Sequence, residues 1–187
     1  MASLVGECCY ANFLTDPLIR ARLVTGEVSY VSFPDIYALL MRDEIDSFPA
    51  LRPHQRHVWH AFLVQVGALA LLGAGESEPD GETSRWRERL RGLTAKWAND
   101  APWCLVAPLS QPALFQPPVP EGSLDGFKVI ATPDELDMLI TSKNHDLKVS
   151  VASTGGAEDW FFALLSLQTQ EGFLGAGNYG ISRMNGG

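Results

Sequence analysis

The chain has 187 residues, of which 46% are apolar and 19% charged, a globular composition long enough to bury a core within one ordinary domain. With 14 Lys and Arg against 22 Asp and Glu, the net charge is −8, which excludes nucleic-acid binding through a uniformly basic surface. The deficit is uneven, 10 against 13 in residues 1–100 and 4 against 9 in residues 101–187, so any phosphate contact must come from a local site or be shared with a partner.

The segment from Asn12 to Leu23 reads as strand, with Ile19, Ala21 and Leu23 alternating against Leu18, Arg20 and Arg22. A turn at Thr25-Gly26-Glu27 leads into Val28–Ser32, which suits the second arm of a β-hairpin. Asp35 to Arg42 is predicted as a short helix with Ile36, Leu39 and Leu40 on one face. His54 to Leu72 is the strongest helix of the chain, and its apolar positions surround it so widely that a central place in the core is expected. The apolar stretch Ala61–Ala74, interrupted by Gln65, is expected to be too short to cross a bilayer.

Gly73 to Gly81 has the composition of a surface loop. Ser84 is predicted to cap an arginine-rich helix running to about Trp97. The proline-rich residues 101–126 are expected to be extended and irregular. Thr132-Pro-Asp-Glu135 fits a capping box, with Thr at N-cap, Pro at N1 and Glu at N3, and predicts a helix from Pro133 to about Thr141. A polar loop at residues 142–146, a strand at Leu147–Ala152 and a helix from about Glu158 to Gln168 follow. These elements make an α+β chain: an irregular mixed domain with an N-terminal β-hairpin, several helices and long loops, taken as one domain over residues 1–187.

Several constellations invite a chemical reading. Gly175-Ala-Gly177-Asn-Tyr-Gly180 matches the G-x-G-x-x-G string, but a dinucleotide site needs a strand before it, a helix after it and an acidic residue about twenty positions later. Here the preceding segment is predicted helical and the sequence ends seven residues on. His57 and His60 share a helix face at i, i+3, yet a third ligand at suitable spacing is missing, so a packed or surface pair is expected. No Ser/His/Asp order with a G-x-S-x-G elbow and no P-loop occurs, so neither catalysis nor a cofactor is expected. Cys8, Cys9 and Cys104 cannot all pair, and apolar surroundings favour inert buried thiols. Without a basic start followed by an apolar run, a reduced, cytoplasmic protein is the expectation. Arg85, Arg87, Arg89 and Arg91 form either a solvated helix face or a contact for phosphate or an acidic partner.

The last sixteen residues contain six glycines, and the expectation is that the chain is the front part of a longer polypeptide. Such a loop, with Phe173, Leu174 and Tyr179 as apolar insertions, suits the narrow space of a minor groove, while a flexible tail is the plainer alternative. The order of motifs then carries a resemblance. Phe13-Leu-Thr-Asp-Pro-Leu-Ile, Pro112-Ala-Leu-Phe-Gln-Pro, Thr132-Pro-Asp-Glu-Leu, the Lys143-Asn-His loop, Ala163 to Gly175 and Gly177 to Gly187 together resemble the N-terminal domain of the CasA family, the large subunit of the type I-E CRISPR Cascade complex.

The resemblance implies a subunit at the 5′ end of the guide CRISPR RNA that senses the short motif (PAM) beside the target in double-stranded DNA. It implies contacts with other Cascade subunits and support for a helicase–nuclease recruited in trans. By position, Gly172, Phe173, Leu174, Gly175, Ala176 and Gly177, with Asn178 and Tyr179 beside them, match the groove-probing loop. Lys143, Asn144, His145, Leu147 and Lys148 match the guide-contacting loop. Ala176 stands where glycine is common in the family, and the run before Arg183 is longer. The family's C-terminal helical bundle has no counterpart in these residues, and its strand-separating wedge is assigned to none of them. An enzyme using the Gly175–Gly180 string, or a non-catalytic scaffold protein, is the alternative.

Overall fold

The computed structural model describes residues 9–97, 99–119, 121–137 and 154–170. Their contacts divide into two compact units, Met1–Ala50 with Phe62–Asp125, and Leu51–Ala61 with Gly126–Gly187. The architecture is α+β with an N-terminal hairpin, as the sequence predicts.

In the first unit, β2 (Ile19–Leu23) and β3 (Val28–Val31) pair antiparallel through the turn at Gly26, with Ile19 opposite Val31 and Arg22 opposite Val28. Gly26 has φ +90°, a left-handed position at which glycine carries no Cβ penalty. A third strand, β4 (Ile45–Ser47), pairs on the other edge of β2, giving the order β3-β2-β4. The predicted continuous strand from Asn12 does not form. Asn12 Oδ1 accepts from Leu14 N (2.9 Å), and the Asn12 carbonyl accepts from Thr15 N and Asp16 N. This side-chain turn breaks the run and leaves β1 (Tyr10–Asn12) to pair with β5 (Cys104–Val106) in a separate two-stranded sheet. The proline-rich region thus supplies one short strand among irregular backbone.

Helix α1 spans Phe33–Met41 and starts two residues earlier than predicted, because Ser32 and Asp35 form the capping box. Ser32 N donates to the Asp35 carboxylate at 3.1 Å, while Asp35 N donates to Ser32 Oγ at 3.4 Å. Helix α3 spans Thr83–Gly92 rather than reaching Trp97, and its N-cap is Glu82, without a side-chain cap bond, rather than Ser84. Beyond Gly92 successive turns replace the helix, and Thr94 Oγ1 accepts from the Trp103 indole at 2.9 Å.

The core of the first unit is aromatic. Phe33, fully buried, stacks on Phe13 with ring centroids 4.8 Å apart, and meets Phe62 at 5.7 Å and Trp103 edge-on at 6.3 Å. Tyr37 stacks on Trp86 at 4.5 Å, and its hydroxyl donates to the Leu63 carbonyl at 2.9 Å. Burial pushes this phenol above its ordinary pKa.

Helix α2 spans Arg56–Ala74 after a single 3-10 turn at Pro53–Gln55. The expectation that it is wrapped by the core is corrected. Phe62, Leu63, Gly67 and Ala70 are buried, whereas Val64 is 71%, Leu69 54% and Leu72 75% exposed. By length and composition alone the segment Pro53–Ala74, 22 residues with mean hydropathy 1.5 over its most apolar 18, passes as a membrane span, a test that the core helix of a soluble protein also meets.

In the second unit the described residues are 51–61, 126–137 and 154–170, which include the one-turn helix α4 (Pro133–Leu136) and α5 (Ala157–Gln170). Helix α5 covers the predicted segment. Helix α4 is shorter than predicted, for Asp137 turns to extended backbone at φ −77°, ψ 95°. The predicted box does not close either. The Thr132 hydroxyl is buried without a hydrogen-bond partner, and Glu135 reaches Ala131 N at 3.4 Å rather than the N-cap amide.

Candidate nucleic-acid interface

The predicted loops, Lys143, Asn144, His145, Leu147 and Lys148 on one side and Gly172 to Tyr179 on the other, lie outside the described residues, as does the predicted strand at Leu147–Ala152. What is described is the frame from which they continue. Asp137 stands six positions before Lys143, and Gln170 two positions before Gly172.

That frame is held by buried charge. Asp137 is 1% exposed and accepts from Gln55 Nε2 at 2.9 Å on the same carboxylate oxygen that lies 2.8 Å from His54 Nε2. Arg52 Nη2 lies 2.6 Å from the buried Asp134 carboxylate, and Gln55 Oε1 accepts from Arg52 N at 3.1 Å. A carboxylate this far from water is stable only when paired and hydrogen-bonded. In the sequence Asp134 is only an interior position of the Thr132–Glu135 capping motif, and Asp137 carries no signal. Its partners lie 82 and 83 positions away, beyond any local pattern.

Aromatic packing completes the frame. Trp59 meets Phe161 and Phe162 edge-on, at 5.7 and 5.4 Å. A Cβ on Gly155 would stand 2.3 Å from Pro133 Cγ and 2.8 Å from Cδ, so a glycine is needed where the entry to α5 crosses the start of α4. Gly156 N then donates to Asp159 Oδ2 at 2.8 Å, which satisfies a free amide at the start of α5.

The arginine run is in part a solvated face, with Arg85 and Arg91 exposed, but all four guanidiniums have partners within the first unit and Arg89 is buried. Arg89, 5% exposed, reaches Glu76 and Asp80 through Nη2, and its guanidinium lies 4.9 Å from the Trp86 ring. Arg85 pairs with the same two carboxylates at 3.0 and 2.8 Å. Arg91 clasps Asp100 through two bonds of 2.8 Å, and Arg87 Nε donates to the Leu14 carbonyl at 3.1 Å. The loop 75–82 supplies the acids, a pairing across a loop that helix periodicity does not show. Hydrogen bonds from Arg89 hold the Glu76 and Asp80 carboxyls below the usual range. A depressed carboxyl adds stability above its unfolded pKa, lost as pH falls through the folded value. Arg89→Met is therefore expected to lower stability at pH 7, with the two proteins converging as pH falls below the depressed range of these carboxyls. Urea denaturation across that range checks it, and a pH-independent difference would assign the arginine to packing alone.

The remaining candidates resolve simply. His57 and His60 are both exposed, and among the described residues no three His, Cys, Asp or Glu side chains gather as a metal site. Cys104 is buried, and burial pushes its thiol up, but Cys9 is exposed, which corrects the expectation of buried thiols throughout. Cys8 lies outside the described residues. The segment Ala157–Gln170 before the glycine string is helix, not the strand a dinucleotide fold needs there. Compared with known proteins, the chain matches no family model, no curated protein and no solved structure.

Proposed function

We propose that this chain is a non-enzymatic, PAM-sensing and guide-anchoring domain of a type I-E CRISPR surveillance complex, working in the cytoplasm with guide RNA, target duplex, the other subunits and a recruited helicase–nuclease. The observation that carries the reading is the frame of the second unit. Both loops that the motif order singles out continue from α4 and α5, which pack on each other. A buried ion-pair network is the kind of base from which a slim loop keeps its aim, because the entropy of ordering is met by the frame rather than by the ligand.

The paired arginines support the same reading. With the four guanidiniums of α3 engaged within the first unit, that run is not a free phosphate-binding patch. Minor-groove probing needs few charges, and base pairing with the guide supplies sequence specificity. That division of labour suits a chain of net charge −8.

The test uses the assembled complex. A Cβ branch at Gly175 or Gly177 thickens the probing loop, so Gly175→Val and Gly177→Val are expected to weaken binding to PAM-bearing duplex about tenfold, the scale of a lost groove contact. Binding to a pre-opened target should stay within about twofold, since guide pairing supplies that affinity. Equal loss on both substrates, or no loss on the duplex, overturns the reading. Lys143→Ala combined with Asn144→Ala is expected to reduce incorporation of the chain into the assembly most at low salt, with the deficit narrowing as salt rises, because a phosphate contact contributes less as salt increases. Unchanged incorporation across salt concentrations removes the guide-anchoring role.

A further inference from the structure

A second surface, in the first unit and distinct from the frame of the loops, is built to take something apolar. Between α1 and α2 runs a groove with a volume of about 290 Å³, walled by Met41, Val64, Ala68, Leu71 and Pro79. Its floor is the stacked pair of Tyr37 and Trp86, and the polar atoms of both rings are already used, by the Leu63 carbonyl at 2.9 Å and the Asp80 carbonyl at 2.7 Å. Gly67 keeps the floor in place, since a Cβ there would stand 2.9 Å from Tyr37 Cε1. The groove therefore offers shape and apolar area without a free hydrogen-bonding group on its floor.

Its rim continues onto the exposed side of α2. Residues 62–74 contain no charged side chain; Val64 lines the groove with Met41, itself 42% exposed, and Leu69 and Leu72 are exposed on the same helix. Monomeric proteins seldom leave contiguous apolar surface of this kind to water unless a partner covers it.

Charge selects the partner. Asp43 follows Met41 by two positions and Glu78 precedes Pro79; both are exposed, and neither has an ion partner among the described residues. The neighbouring cations are spent internally: Arg42 on Glu44 at 3.1 Å and on the Gly81 carbonyl at 2.5 Å, Arg85 and Arg89 on Glu76 and Asp80. The unbalanced charge at the rim is negative. A second copy would bring acidic rim against acidic rim on a chain of net charge −8, which like-charge repulsion disfavours.

We infer that the α1–α2 groove is a docking site for a basic amphipathic helix of another protein, whose apolar side chains enter between Met41 and Ala68 while its Lys or Arg residues face Asp43 and Glu78. This is the helix-in-groove mode of recognition, in which anchors at i, i+3 or i+4 and i+7 fill the slot and flanking charges set the partner.

The experiment takes the full chain and two synthetic helical peptides of about 16 residues, identical in their leucine positions, one carrying Lys and the other Glu elsewhere. Anisotropy of the labelled peptide reports binding. The Leu/Lys peptide is expected to bind at least about tenfold tighter than the Leu/Glu peptide. Ala68→Phe fills the groove without changing charge and is expected to weaken binding about fivefold or more. Asp43→Asn with Glu78→Gln is expected to weaken it by a similar factor and to flatten its salt dependence. Val64→Asn, at a position 71% exposed, repeats the apolar test without burdening the fold, and a melting curve for each variant confirms that it folds. Equal binding of the two peptides, or binding indifferent to both Ala68→Phe and Val64→Asn, overturns the proposal. A concentration-dependent dimer in sedimentation that Val64→Asn abolishes, without peptide binding, assigns the groove to a second copy and overturns it as well. Partition of the chain onto neutral phosphatidylcholine vesicles, without peptide binding, assigns it to lipid with the same consequence.

Discussion

Phe33→Ala is expected to cost about 3–5 kcal/mol, the range for removing a fully buried aromatic ring. That is a large share of the roughly 5–15 kcal/mol that holds a typical domain. Phe33 is the first residue of α1, and its ring touches Phe13 from the turn after β1, Phe62 from α2 and Trp103 before β5. No neighbouring side chain can fill the space, because each partner ring is fixed by its own element. Phe33 N also donates to the Phe13 carbonyl at 2.9 Å, so the backbone stays tied while the ring is lost, and a cavity rather than a collapse is expected. Urea denaturation followed by circular dichroism measures the loss. Val64→Ala, at an exposed position, provides the comparison and should lie within about 0.5 kcal/mol of the parent. A Phe33→Ala cost below about 1.5 kcal/mol would mean that the aromatic cluster is not the centre of the first unit.

Asp137→Ala is expected to cost about 3 kcal/mol or more, since removing one member of a buried polar network strands the others. His54 Nε2 and Gln55 Nε2 both converge on Asp137 Oδ2, and both would lose their acceptor inside the second unit. Asp137→Asn keeps an oxygen for one of them and is expected to cost less. His54→Leu combined with Asp137→Leu removes the imidazole and the carboxylate together and is expected to recover part of the loss, because a paired deletion leaves fewer polar groups buried without a partner. Thermal melts of the three variants order them. A double variant whose cost equals the sum of the costs of His54→Leu and Asp137→Leu alone would mean that the pair is not coupled. Asp137 is the last residue described before the segment bearing Lys143 to Lys148, so under the proposed function loosening it is expected also to lower incorporation into the guide-bound assembly.

Much of the local structure was legible because it is written in short-range patterns. The hairpin shows in Gly26 between two alternating runs, and α1, α2, α3 and α5 show in their 3.6-residue spacing. Where local signals compete, reading fails at the boundaries. Ser32 reads as the end of a strand and is the N-cap of α1; Thr132 reads as an N-cap and buries its hydroxyl instead. The strand β5 hides among prolines because its pairing residues, Cys104 and Val106, find their partners in Asn12 and Tyr10, more than ninety positions earlier.

The candidate sites divide in the same way. The loops at Lys143–Lys148 and Gly172–Tyr179 were singled out by composition and motif order, and the described residues add the frame they continue from. The groove was not legible, because exposure depends on which elements arrive to cover a helix. An all-round apolar α2 reads as core, yet in the first unit α1 meets one side of it and leaves Val64, Leu69 and Leu72 in solvent. Helix α3 makes the complementary case: four arginines read as a surface charge run, and only the return of loop 75–82 and of Asp100 pairs Arg85, Arg89 and Arg91 with acids and buries Arg89.

Sequence alone thus determined the α+β class, the hairpin and the four longer helices, since periodicity, turn residues and apolar content act over a few positions and need no partner. Tertiary structure decided the rest: the division into two units, the burial of Asp134, Asp137 and Arg89 beside their counter-charges, and the groove beside Met41. The physical reason is common to all of these. Burial and charge pairing are settled by which distant segments meet, and a carboxylate or a leucine has no intrinsic side until another element either covers it or leaves it in water.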